Sequence, residues 1–151
     1  MIPVDQTRLY VPDDPQAPPG NCWAAALASI LEVPLDRVPD ELEFWSAAGD
    51  NRAAWEKYQC RMHEWLLAEH AVVLVEVKTA SLTYSGPLWC WGTMYSVIVG
   101  PSPRDARVCH AAVGLAGKIV HDPYPSRAGL AGHWSEWSHE LLVRAYIKIG
   151  Q

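Results

Sequence analysis

Two spacings of hydrophobic residues divide the chain. Between residues 22 and 69 apolar side chains recur every three or four positions, whereas from residue 71 they come in short β-branched or aromatic runs bounded by glycine and proline. The stretch "CWAAALASILE" (22–32) reads as a helix with Asn21 in the N-cap position and Pro34 ending it. "VPLDRVPDELEFW" predicts a turn and a short second helix beginning near Asp40. A third helix, over about 51–69, is capped by Asn51 and puts Trp55, Tyr58, Met62, Trp65 and Leu66 on one apolar face. Strands are then expected at 71–77, 93–100, 107–115, 118–122 and 141–149. Residues 1–21 hold five prolines and little periodicity, and read as an extended lead-in packed over the domain. Helices first and strands afterwards predict an α+β fold, its helices packed on a mostly antiparallel sheet.

Composition narrows what such a fold does. A chain of 151 residues suits one domain spanning 1–151, and half of its residues are hydrophobic, eight of them tryptophans, which supply bulky core or pocket-lining groups. A formal charge of -5 with no basic run argues against nucleic acid as a partner. The longest apolar runs, such as "AVVLVEV", fall far short of the roughly 20 residues of a membrane span, so no membrane partner is expected. "MIPVDQTRLYVPDD" shows no basic region followed by an apolar stretch, so a cytoplasmic setting is the expectation. There the four cysteines, Cys22, Cys60, Cys90 and Cys109, are expected to be thiols.

One of these thiols stands at a chemically useful place. Cys22 follows a Pro-Pro-Gly-Asn turn and opens the first helix, where unpaired N–H groups and the helix dipole favour a thiolate. The competing reading is a small buried residue on an amphipathic helix. A catalytic cysteine needs a base and the base an orienting group, and "VCHAAVGLAGKIVHDPYP" supplies both in a hairpin. With a three-residue turn at 115–117 and Gly117 left-handed, His110 lies directly across from Asp122, at about 5 Å between Cβ atoms. A two-residue turn puts Asp122 opposite Ala111 and the pair on opposite faces. His121 points away from Asp122 and is expected to be structural or exposed; His63 and His70 are expected to be solvated. His133 and His139 flank "HWSEWSHE", where a substrate contact is conceivable. Cys60 and Cys90 are expected in the core, and Cys109 on the face away from His110. "CRMH" and "CH" are the close Cys/His pairs, and neither has paired zinc-ligand spacing, so no metal is expected.

Gln16, six positions before Cys22, with Trp23 after it and His110 and Asp122 later in that order, resembles the papain-like cysteine peptidase pattern. The residues before Cys22, "PPGN", depart from the papain signature itself. The chain is more similar to small members of that superfamily: bacteriocin-exporter leader peptidases and uncharacterised phage and bacterial proteins. In the latter an "NCWxAxxASxLE" helix start, a "GPSPR" turn and an "H-A-V-V…G…V-H-D-P" hairpin occur together. Here they read "NCWAAALASILE", "GPSPR" at 100–104 and "HAAVGLAGKIVHDP". The resemblance implies Cys22 as nucleophile, His110 as base and then acid, Asp122 as its orienter, and Gln16 with the Cys22 N–H as oxyanion donors. It implies a thiol hydrolase acting on a peptide or isopeptide bond of a peptide or protein substrate, without a cofactor. Amidase, deamidase and acyltransferase chemistry belong to the same fold, and a silent module that binds a partner protein is the alternative. Trp23, and Trp89 and Trp91 in "PLWCWGTMY", are candidates to line the substrate groove.

Overall fold

A computed structural model describes residues 1–14, 16–46, 51–78 and 94–145. Among these the chain forms helix α1 (Cys22–Leu31), helix α2 (Asn51–His70) and strands β1 (Val72–Lys78), β2 (Tyr95–Pro101), β3 (Cys109–Leu115), β4 (Lys118–His121) and β5 (Ser138–Arg144). The strands make one antiparallel sheet in the order β1-β5-β2-β3-β4, so the fold is α+β as the sequence predicts. β5 begins three residues earlier than expected, at Ser138 rather than 141, and its predicted end at 149 lies outside the described residues.

α1 is packed against β3 and β2 and is buried almost all round. Its alanines are the reason: Ala25, Ala26 and Ala28 are fully buried and let the helix approach the sheet closely. Leu27 fills the space against Val97 and Val113, and complete burial of such a side chain contributes about 1.5–3 kcal/mol. On its other side α1 is covered by the lead-in, where Ile2 donates to the Ser29 carbonyl at 3.2 Å and Val4 to the Ser29 hydroxyl at 2.9 Å. The helix stops at Glu32, which takes a left-handed conformation (φ 58°) just before Pro34.

Asn21 sits in the N-cap position but its side chain makes no cap bond. Its Oδ1 instead accepts from the amides of Thr7 (3.1 Å) and Arg8 (3.0 Å), and its Nδ2 donates to Thr7 Oγ1. The residue expected to cap the helix therefore fastens the lead-in to it. The second helix expected near Asp40 is a single 3-10 turn, Glu41–Glu43, which Asp40 caps by accepting from Leu42 N. Asp40 also receives the fork of Arg8 at 2.7 and 2.9 Å. On α2 the predicted apolar face appears as buried Tyr58, Met62 and Leu66, with Trp55 partly exposed. Cys60 is exposed on α2 rather than in the core, because it falls two residues before Met62 and so off the buried stripe.

The β3–β4 hairpin departs most instructively from expectation. Leu115 pairs with Lys118, so the turn has two residues, Ala116 and Gly117, both at positive φ (54° and 75°). The register then slips by one: Gly114 faces Ile119, but Val113 faces His121, leaving Val120 as a bulged extra residue. A two-residue turn alone sends His110 and Asp122 to opposite faces; the bulge reverses that parity and returns Asp122 to the face of His110.

Candidate active site

His110 and Asp122 are both 3 % exposed, and His110 Nε2 lies 2.7 Å from Asp122 Oδ1. Because an ionised carboxylate only accepts, Nε2 carries the proton, which leaves Nδ1 with its lone pair. They meet diagonally across the bulged hairpin rather than directly opposite, which corrects the expected register while keeping the pair. Two further donors hold the carboxylate: Tyr124 N reaches Oδ1 at 2.9 Å and Gly129 N reaches Oδ2 at 2.8 Å. Burial alone would raise the Asp122 carboxyl, but the His110 ring and these amides hold it below its ordinary value. Burial lowers the His110 pKa against the opposing pull of Asp122, so the ring is neutral at pH 7.

Cys22 is the first residue of α1, is partly buried, and lines the same cavity of about 610 Å³ as His110. The amides of Ala111, next to His110 in β3, of Trp23 and of Cys22 itself act to lower its pKa. These donors and the nearby Arg104 charge favour a thiolate, yet burial outweighs them and raises the thiol above its ordinary pKa. The helix terminus thus does not deliver the lowered pKa that the sequence suggested. At rest the two groups are a neutral thiol and a neutral imidazole.

The other expected site residues are distributed unevenly. Trp23 is buried in the cavity wall, its indole N–H donating to Glu140 Oε2 and its ring meeting Trp55 at 5.6 Å and Tyr58 at 5.5 Å. Gln16 is exposed, its amide bonded to Asp14 Oδ1, and its side chain is not among those lining the cavity. Gln6 is there instead, 7 % exposed, with Nε2 donating to the Arg8 carbonyl at 2.9 Å and Oε1 buried without a partner. The reason is a chain closure: Asn21 N donates to Arg8 O at 3.1 Å, so residues 9–20 form a loop and the residues beside Cys22 in space are those before Arg8. Trp89, Trp91 and Cys90 lie outside the described residues.

Comparison with family models, curated proteins and solved structures finds no match for this chain. Among the remaining histidines, His121 is buried with Nε2 donating to the Val4 carbonyl at 3.0 Å, and His139 is buried with Nδ1 3.4 Å from Ser96 Oγ. His133 caps the 3-10 turn Trp134–Glu136. His63 is exposed, and His70 packs edge-on against Trp65. Neither His133 nor His139 lines the cavity, so neither is placed to touch a molecule bound there. Cys109 is exposed at the start of β3 and borders the cavity mouth. Among the described residues no group of three His, Cys, Asp or Glu side chains is arranged to hold a metal ion, and no helix is long and apolar enough to cross a membrane.

Arg104 was not singled out in the sequence. Its amide bonds the hydroxyl of buried Ser102 at 3.3 Å, and its guanidinium lies 3.5 Å over the Tyr124 ring, which itself stands edge-on to His110 at 6.2 Å. The "GPSPR" stretch was the available signal: Gly100 and Pro101 end β2, and Arg104 lies in the connection 102–108 that leads to β3.

Proposed function

We propose that the protein is a thiol hydrolase of the papain-like kind, cleaving a peptide or isopeptide bond. The observation that carries this reading is the buried His110–Asp122 pair, 2.7 Å apart, sharing a cavity with the thiol at the head of α1. A nucleophile on a helix start and a base on the facing antiparallel sheet support the papain-like architecture.

In this reading Nδ1 of His110 takes the Cys22 proton as the sulfur attacks the substrate carbonyl, because both groups start neutral. The developing oxyanion is held by the Cys22 amide, which has no partner within the helix, and by Gln6, the side-chain amide at the cavity. Collapse expels the amine, which takes the proton from His110, and leaves a thioester on Cys22. Water then gives its proton to His110, attacks the thioester and releases the acid, and the thiol is restored. Asp122 keeps the imidazole in the required tautomer throughout.

The silent binding module is the second reading, and burial of Cys22 favours it. Intact-mass analysis after exposure to a ubiquitin-type C-terminal electrophile, and separately to a small epoxide of the papain-inhibitor kind, separates the two. A hydrolase gives one adduct that disappears in Cys22→Ala and slows in His110→Gln. A protein that forms no adduct with either probe is not the proposed enzyme.

A further inference from the structure

The cavity holds a cation with an unmet bond. Nη1 of Arg104 is buried and, among the described residues, has no hydrogen-bond partner. The other arginines near the cavity mouth and the lead-in are paired: Arg8 with Asp40, Arg107 with Asp13 and Asp105, and Arg127 with Asp5. A buried donor of a charged group left unmade costs more than the net worth of an ordinary hydrogen bond, so such a group calls for an acceptor.

Its surroundings fix where that acceptor sits. Stacking on Tyr124 at 3.5 Å sets the plane of the guanidinium, and Asp122 holds the Tyr124 amide at 2.9 Å, tying the stack to the candidate catalytic pair. Arg104 lines the same cavity as Cys22 and His110. Of the carboxylates that line the same cavity, Glu140 accepts from Trp23, Asp14 accepts from the Gln16 amide, and burial pushes Glu41 up to about 7. A planar guanidinium with an unmet N–H, on a residue that lines a partly apolar cavity, matches a carboxylate in geometry and charge.

We propose that Arg104 forms a carboxylate-binding subsite beside Cys22, so that the substrate carries a carboxylate close to the carbonyl under attack. This rests on the hydrolase reading for its place in a reaction, but not for the binding itself. The carboxylate comes either from a chain terminus or from an acidic side chain.

The test is protection of Cys22 against iodoacetamide, followed by peptide mass analysis with exposed Cys60 as internal reference. Three probes are compared: N-acetylglycine for a terminal carboxylate, N-acetylaspartate α-amide for a side-chain carboxylate, and N-acetylglycinamide as neutral control. At least one acid is expected to slow capture of Cys22 about tenfold, equivalent to about 1.4 kcal/mol, with Cys60 unaffected and the neutral control inert. Arg104→Gln is expected to abolish the protection, and Arg104→Lys to keep part of it, since an ammonium lacks the fork. Quenching of cavity tryptophan fluorescence in the unaltered protein gives the same preference without any variant. Equal effects of acid and neutral probes, or protection that survives Arg104→Gln, would overturn the subsite. Failure of the hydrolase reading shows separately, as electrophiles that form no adduct while acid protection persists.

Discussion

On the hairpin side of the cavity Asp122 is buried and its pKa falls, whereas on the β5 side Glu140 is set into the wall and is pushed up to about 7. Burial is the largest influence on both, and it acts in the same direction. The difference lies in the donors. Asp122 receives an imidazole N–H and two backbone amides, while Glu140 has the Trp23 indole and stands directly across the strand pair from Glu76, a like charge. A buried carboxylate stays ionised when fixed N–H groups replace its water, and one donor is too few.

The two sides consequently lose stability at opposite ends of the pH scale. The lowered pKa values of Asp122 and His110 give stability that is present above their ordinary values and lost as pH falls through the folded ones. The raised pKa of Glu140 gives the reverse: its contribution is complete below 4.5 and lost as pH rises through about 7.

The largest expected effect comes from removing the feature that distinguishes the hairpin side. Asp122→Asn keeps the shape but lets the imidazole take the wrong tautomer, and is expected to lower the rate of adduct formation at Cys22 by roughly 10²–10⁴-fold, with a lower thermal midpoint because an amide NH2 then opposes one of the N–H donors. Deleting Val120 removes the bulge and turns Asp122 to the other face; a loss of about 10²-fold or more is expected in the same assay, with β-sheet circular dichroism retained. On the β5 side, Glu140→Gln is expected to be more stable than the unaltered protein at pH 8.5 by about 1–3 kcal/mol in urea unfolding, and to lose that advantage at pH 4.5. An advantage independent of pH would mean that donors do not explain the contrast. The smallest effect is expected at the surface: Asp13→Asn breaks the pair with Arg107, where both side chains stand in water, and should leave the unfolding midpoint unchanged within error.

The elements of the sheet and both α-helices were legible because their apolar periods are set by burial on one or two faces. The His110–Asp122 pair was legible too, though by a register that the molecule does not use. A turn of two residues and one bulged residue give the same parity as a turn of three, and side-chain alternation reads only parity. Gln6 was not legible, since the contact that brings it to the cavity is a closure between Arg8 and Asn21 that no local spacing encodes. The direction of the Cys22 shift was missed for a related reason: a helix start is visible in sequence, but the desolvation that outweighs it is tertiary. Asp40 shows the converse, a sound capping residue whose helix is a single 3-10 turn, Glu41–Glu43.

The closure between Arg8 and Asn21 separates two jobs within one chain. Residues 9–20 leave and return at points held 3.1 Å apart, and Tyr10, Asp14, Ala17 and Pro19 from this excursion border the cavity. Lengthening a loop whose ends are already clamped costs little in entropy. Its length and composition can therefore change while Gln6, Cys22 and the hairpin keep their places. A lineage carrying this fold has in that excursion a way to change what the cavity admits by insertion and substitution, leaving Cys22, His110 and Asp122 as they were.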